Sequence, residues 1–343
     1  MNQLPTRMRA SVLEGQGRII LRSVATPELA ADQVLVKVAA VGVCGSDAHY
    51  YRHGRIGDFV VEKPLILGHE AAGTIVAVGQ DVAAERIGER VSIEPQRACR
   101  VCAQCKAGRY NLCPKMEFYA TPPIDGAFSE FAVIQQDYAY RLPDDVSLEA
   151  GALCEPLSVG IWTARKAGIS PGSSVLIAGA GPIGVIMSQV AKAFGATRVI
   201  VSDPLEPRRR RALDFGATEI VDPLADDVAG LGLEVDAFID AAGTERAVRD
   251  GIMALAPNGR AVLVGMGADD VLMPASRIQA RELVVTGIFR YAGTWPVAIS
   301  LLADRRIDLD SLVTARFGLA DVPQALERSG DPRNLKVIVC PDR

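Results

Sequence analysis

Apolar positions change their rhythm along the chain, and that change divides it. Up to about residue 155 they come in short β-branched runs, such as Val34-Leu35-Val36-Lys37-Val38 and Gly73-Thr74-Ile75-Val76-Ala77-Val78, broken by Gly, Asp and Pro. This is the pattern of strands joined by turns. From about residue 172 strands and helices alternate. Ser174–Ala178 reads as a buried strand, and Ile183, Ile186, Met187, Val190, Ala191 and Phe194 then repeat at i, i+3, i+4, i+7, as an amphipathic helix requires. Residues 198–201 predict a second strand ending at Asp203, and a helix over 206–215 stops at Gly216. Further strands are expected at 219–221, 237–240, 260–264 and 283–289, with helices between most of them. Such alternation predicts a parallel, doubly wound α/β sheet. After Trp295 a helix leads to 314–319 and a closing strand at 336–339, which resemble the first segment again. A discontinuous first domain is therefore expected.

Composition narrows the function classes. With 343 residues, 49% hydrophobic and 23% charged, the chain fits two folded domains rather than a disordered one. Lys+Arg number 37 against 41 Asp+Glu, a net charge of −4, so no basic surface for nucleic acid is expected. The stretch 174–191 runs 18 residues without a charge, the length at which membrane spans begin. Gly179, Gly181, Pro182 and Gly184 interrupt it, which suits a strand turning into a helix and leaves no membrane partner. The opening MNQLPTRMRASVLEG holds no apolar run of the kind a secretory signal needs, and a cytoplasmic location is expected.

Gly179-Ala180-Gly181-Pro182-Ile183-Gly184 is a G-x-G-x-x-G run. Alone the pattern is weak, but here it follows a predicted strand, opens a helix, and is followed by Asp203 at the end of the next strand. Gly179 permits the tight turn, Gly181 lets backbone amides reach a pyrophosphate, and Gly184 lets the helix sit close on the sheet. Asp203 can accept from both hydroxyls of an adenosine ribose and repels a 2′-phosphate, which favours NAD over NADP. Arg208, Arg209, Arg210 and Arg211 could serve a phosphate instead. Most of that run reads as a solvated helix face, with Arg208 covering the adenine.

The seven cysteines are unevenly spread. Cys99, Cys102, Cys105 and Cys113 lie within 15 residues, with Arg97, Arg100, Gln104, Lys106 and Arg109 among them, which does not look like core. Four thiolates at this spacing close a tetrahedral zinc site, filled by protein and therefore structural. An odd total argues against a disulfide framework. A second group is dispersed: Cys44, His69-Glu70 and Glu155. No local spacing joins these, and a lone His beside Glu is more often a surface pair or a satisfied core group.

Together the motifs resemble the zinc-dependent medium-chain dehydrogenases, in their polyol (sorbitol and xylitol) branch. The resemblance covers nearly the whole chain. It rests on Val43-Cys44-Gly45-Ser46-Asp47, Gly68-His69-Glu70, the four-cysteine segment and the glycine motif. Glu155-Pro156-Leu157-Ser158 and Phe289-Arg290-Tyr291 with Thr294-Trp295-Pro296 point to the polyol branch. The resemblance implies a mainly β GroES-like catalytic domain over 1–157 and 297–343, with a structural zinc lobe at 95–115, and a Rossmann NAD-binding domain over 158–296. It implies one catalytic zinc held by Cys44, His69 and Glu70, with Glu155 as a further ligand or linked to it through water. Cys154, one place away, is the alternative ligand. Ser46 with His49, or Glu155, would take the proton. Tyr50, Phe59, Phe118, Thr121, Arg290 and Tyr291 match positions lining the substrate cleft, although Phe59 and Phe118 read equally well as packing. Gly179, Gly181, Pro182, Ile183, Gly184, Asp203 and Arg208 would hold NAD. The implied reaction takes a polyol to its ketose in a homo-oligomer, a tetramer rather than a dimer. A dehydrogenase of galactitol, L-threonine or 2,3-butanediol is the nearest alternative, and a non-catalytic zinc and nucleotide binder is one of another class.

Overall fold

The computed structural model describes residues 4–343, so the first three residues of the opening segment lie outside the described residues. The chain forms two compact units. One runs through Glu155 and resumes over Leu309–Arg343, and the other spans Pro156–Asp308.

The first unit is built around the strand Gln33–Gly42. It pairs antiparallel with Glu70–Val78, with Phe131–Gln135 and with Lys336–Val339. Arg90–Ile93 and Ala139–Arg141 extend the sheet on one side and Val313–Phe317 on the other. The central strand is longer than the 34–38 run, because Ala39-Ala40-Val41-Gly42 continues it without a β-branched signal until Val41. Most of it is buried: Val34, Val36, Val38 and Val41 share a cluster with Ile75, Ile93, Phe128, Ile134, Val337 and Val339, and Leu35 packs with Met8 and Phe131. The closing strand therefore belongs to the first unit's sheet. Register then decides chemistry: Glu70 and Ile338 both lie opposite Gly42.

The second unit holds six parallel strands in the order 219–221, 198–202, 174–178, 235–240, 255–263 and 284–287. Numbered along the chain this is 3-2-1-4-5-6, the doubly wound order with its crossover beside the first strand. Ser174–Ala178 and Glu219–Val221 stand where the sequence pattern placed them. The charge-free stretch divides into that first strand and the helix Pro182–Ala193, whose inner face is buried. Among the described residues no helix is long and apolar enough to cross a membrane. The helix Glu206–Asp214 ends ahead of Gly216, which takes φ +97°, a left-handed conformation that suits a helix stop.

Candidate metal and cofactor sites

Two stretches of chain far apart in sequence bring donors together. Cys44 caps the helix Gly45–His53, His69 follows the Leu65–Ile66 strand, and Glu70 opens the next strand. One ligand atom from each lies within 4.8 Å of the other two. Glu70 needs room: a Cβ on Gly42, its cross-strand neighbour, would sit 1.9 Å from Glu70 Oε2. The Lys336 ammonium, equally buried, lies 2.7 Å from Oε1 and 2.6 Å from Oε2 and donates to Oε1 and to the Val43 carbonyl. Oε2, within the ion pair, accepts no well-directed hydrogen bond. A soft thiolate, an imidazole and a buried carboxylate oxygen with a spare lone pair form a donor set that suits zinc, with three protein ligands and room for a fourth.

The surroundings orient these donors. Asp47 is fully buried; its Oδ2 accepts from the Cys44 amide and its Oδ1 from the Gly68 amide, each at 3.0 Å. Oδ1 also lies 3.5 Å from His69 Nδ1. Burial works against a charged His69 ring, but the charges of Asp47 and Cys44 outweigh it and hold its pKa well above the usual range. Burial likewise opposes the Lys336 charge, and the fields of Glu70, Cys44 and Glu155 overcome it. Glu155 is buried and lies outside the 4.8 Å group. Cys154 is wholly enclosed, its thiol pushed up to about 12 by burial despite a bond with Ser92, and it does not join the group either. Phe118 is buried with its ring centroid 5.5 Å from that of His69. Ser46 and Thr121 are half-buried and Tyr50 is buried, while His49 and Phe59 are exposed. The His49 ring lies 4.5 Å from that of His53, one helical turn on.

The four-cysteine segment folds on itself. Its sulfurs lie 3.5 Å (Cys102–Cys105), 3.9 Å (Cys102–Cys113) and 4.0 Å (Cys99–Cys105) apart. A zinc tetrahedron with bonds of about 2.3 Å has edges of about 3.8 Å, so the spacing fits a closed metal site. Backbone amides of Val101 and Cys102 pull Cys99 down to about 6, while desolvation and the neighbouring thiols push Cys105 up to about 12. At the root of this loop Glu94 is completely buried, accepting from Tyr110 Oη at 2.7 Å and Gln96 Nε2 at 3.0 Å. Burial pushes its carboxyl from 4.5 up to about 7, against the hydrogen bonds of Tyr110, Tyr140 and Gln96.

In the second unit the glycine motif turns from the first parallel strand into its helix. Gly179 sits at φ +98°, and a Cβ on Gly184 would lie 1.8 Å from the Gly179 carbonyl, while a Cβ on Gly181 would meet nothing within 4 Å. The first two facts make the turn and the close packing obligatory, and the third leaves Gly181 open to a ligand. Pro182 and Ile183 begin the helix. A cavity of about 390 Å³ opens here, lined by Gly179, Gly181, Asp203, Leu205, Arg208 and Arg246 among others. Asp203 is buried beneath it, accepting from the Ala180 and Leu205 amides, each at 2.8 Å. Arg290, half-buried at φ +55°, holds its guanidinium 4.7 Å above the Phe289 ring. Tyr291 is fully enclosed against Trp295, with ring centroids 5.1 Å apart.

Comparison with known proteins places the chain in a family. Residues 30–144 match the alcohol dehydrogenase GroES-like domain, and residues 182–304 the zinc-binding dehydrogenase domain. The chain is 45% identical to the sorbitol dehydrogenase of Mus musculus, covering 96% of this chain and 94% of that one. The chain belongs to the zinc-binding dehydrogenases. It is 41% identical to the probable D-xylulose reductase A of Neosartorya fischeri, over 96% of this chain and 95% of that protein. Among solved structures, a zinc-binding dehydrogenase from Sinorhizobium meliloti bound to NADP superposes with a TM-score of 0.92 at 33% identity, covering 98% of this chain and 100% of that one.

Some residues around these donors were not singled out by the sequence pattern. Asp47 stood only inside a motif, although its three-residue spacing from Cys44 on a helix start is the capping-box pattern. Lys336 lies 266 residues from Glu70, and a single lysine in an apolar closing strand was its only signal. Arg209 is the buried member of a run that otherwise reads as solvated.

Proposed function

We propose that the chain oxidises a secondary alcohol of a polyol such as sorbitol or xylitol to the ketose, with zinc bound and NAD as hydride acceptor. The observation that carries this reading is the convergence of Cys44 with the adjacent pair His69-Glu70, a donor set that leaves one position for substrate. When bound, the zinc supplies a Lewis acid that acidifies the substrate hydroxyl, and the nicotinamide accepts hydride. The chain's residues do the rest. Cys44, His69 and Glu70 hold the catalytic ion, and Asp47 engages His69 Nδ1, leaving Nε2 for the metal. Cys99, Cys102, Cys105 and Cys113 hold a second, structural zinc. The substrate proton leaves through Ser46 and His49 or through Glu155. Tyr50, Phe59, Phe118 and Thr121 are assigned to substrate contact, and Arg290 and Tyr291 to its hydroxyls.

Gly179, Gly181, Pro182, Ile183, Gly184, Asp203 and Arg208 hold the dinucleotide. Asp203, under a cavity lined by the motif, supports NAD over NADP, because a carboxylate repels a 2′-phosphate. We assign catalysis to a GroES-like domain over 1–157 and 297–343 and NAD binding to a Rossmann domain over 158–296. The edge strand Val284–Gly287 has a free side, which supports a homo-oligomer, a tetramer in our reading, and we place the enzyme in the cytoplasm. The test is reduction of NAD and of NADP against sorbitol, xylitol, galactitol, L-threonine and 2-butanol. Polyol turnover with NAD is expected; turnover of L-threonine or 2-butanol alone would overturn the polyol assignment.

A further inference from the structure

Four consecutive arginines, 208–211, open the helix that follows Asp203, and they do not behave alike. Arg210 is exposed and pairs with Glu206 one turn back at 2.7 Å. Arg208 lines the 390 Å³ cavity above the glycine motif, as does Arg246 from a different helix. Arg209 turns inward and is only 8% exposed. One of its guanidinium nitrogens, Nη1, donates to the backbone carbonyl of Asp203 at 2.6 Å, and Nη2 meets Asp222 Oδ2 at 2.7 Å.

We propose that Arg209 is a positioning residue for cofactor choice: by fastening the turn that carries Asp203 it sets the preference for a dinucleotide with a free 2′-hydroxyl over a 2′-phosphorylated one. The inference rests on the reading of this cavity as the NAD site. Asp203 is held at three points. The amides of Ala180 and Leu205 each take one carboxylate oxygen, leaving each oxygen a lone pair for a ribose hydroxyl, and Arg209 takes the carbonyl. Asp222, at the end of the neighbouring strand, anchors Arg209 in turn. The fixation matters because the cavity's other charged walls are Arg208, Arg246 and Asp250, the last pairing with Arg246 at 3.4 Å. With Asp203 fixed, its charge faces the ribose and opposes a 2′-phosphate. With that hold weakened, the carboxylate can move aside, and Arg208, which lines the cavity, can attract that phosphate, while Arg246 is already paired with Asp250. A buried guanidinium with two partners is rigid, so its removal takes away the one hold on the Asp203 backbone and leaves the two amides on its carboxylate.

Binding of NADH and NADPH, followed by fluorescence titration on the zinc-loaded protein, tests this without reference to turnover. Arg209→Leu should lower the ratio of the NADPH to the NADH dissociation constant by about tenfold, the worth of one charged hydrogen bond. Arg209→Lys, which can keep one of the two contacts, and Asp222→Asn, which loosens the anchor alone, should fall between Arg209→Leu and the wild type. These milder variants carry the test if Arg209→Leu does not fold. Asp203→Ala is the reference that moves the ratio in the same direction. A purely structural arginine would lower thermal stability and weaken both cofactors by one factor, leaving the ratio unchanged while Asp203→Ala shifts it; that outcome overturns the proposal and spares the cofactor reading. A wild type that binds NADPH more tightly, or a ratio that Asp203→Ala does not move, overturns both.

Discussion

Glu94 offers a prediction whose sign and size follow from its surroundings. Its carboxyl is fully buried between the strand Arg90–Ile93 and the root of the four-cysteine loop, facing Tyr110, Tyr140, Gln96 and Asp137. Burial raises its pKa from 4.5 to about 7, so the folded chain holds this proton more tightly than the unfolded chain. Its contribution to stability is therefore complete below the unfolded value of 4.5, declines as pH rises, and is lost once pH passes about 7. A shift of that size corresponds to about 3 kcal/mol. Glu94→Gln keeps an acceptor for Tyr110 and removes the titration. Thermal unfolding of wild type and variant, compared at about pH 5.5 and about pH 8, should show the variant gaining on the wild type by several degrees at the higher pH. Metal loss at acid pH affects both proteins alike and cancels in the difference. Parallel pH profiles for the two proteins would refute the reasoning, because they would mean that the buried carboxyl titrates no differently when folded.

Further outcomes follow from the same geometry. Lys336→Met strands the Glu70 carboxylate without its counter-charge and should cost about 3–5 kcal/mol in denaturant unfolding; a loss within error would show that the pair is not held as described. Gly42→Ala should abolish binding of the catalytic metal while leaving the four-cysteine site loaded, because its Cβ would occupy the place of Glu70 Oε2; metal analysis by mass spectrometry decides it. Cys105→Ser should reduce bound zinc from about two ions per chain to about one and lower thermal stability. An unchanged count would remove the segment from its metal role. Arg290→Ala should impair turnover of polyols more than of simple secondary alcohols, since a site that hydrogen-bonds hydroxyls discriminates by them. Equal loss on both would count against that assignment.

Periodicity carried the second unit almost whole, because a buried parallel strand followed by an amphipathic helix leaves an unambiguous pattern. The strand Ser174–Ala178 and the glycine motif needed no tertiary information, and φ +98° at Gly179 is what the motif demands. The first unit was less legible. The strand Gln33–Gly42 ends in small residues that carry little strand signal, and its extent is set by partners as remote as Lys336–Val339. The four cysteines announced their site by local spacing. Cys44, His69 and Glu70 did not: they meet only because sheet register puts Glu70 opposite Gly42 and a helix start carries Cys44 beside them. Residue resemblance supplied that set where spacing could not. Asp47, Lys336 and Arg209 contact Cys44, Glu70 and Asp203, and such contacts are not written in sequence pattern.

The central claim is that the Cys44, His69 and Glu70 cluster, loaded with zinc, oxidises a polyol with NAD. The most direct measurement is the initial rate of NADH formation from sorbitol and from xylitol by the native protein, by chelator-treated protein, by the treated protein after zinc is restored, and by Cys44→Ser. The account predicts turnover in the first and third and none in the second and fourth, with Cys44→Ser keeping the zinc of its four-cysteine loop. Polyol turnover that survives in zinc-free protein or in Cys44→Ser, or no polyol turnover by the native protein, would contradict it.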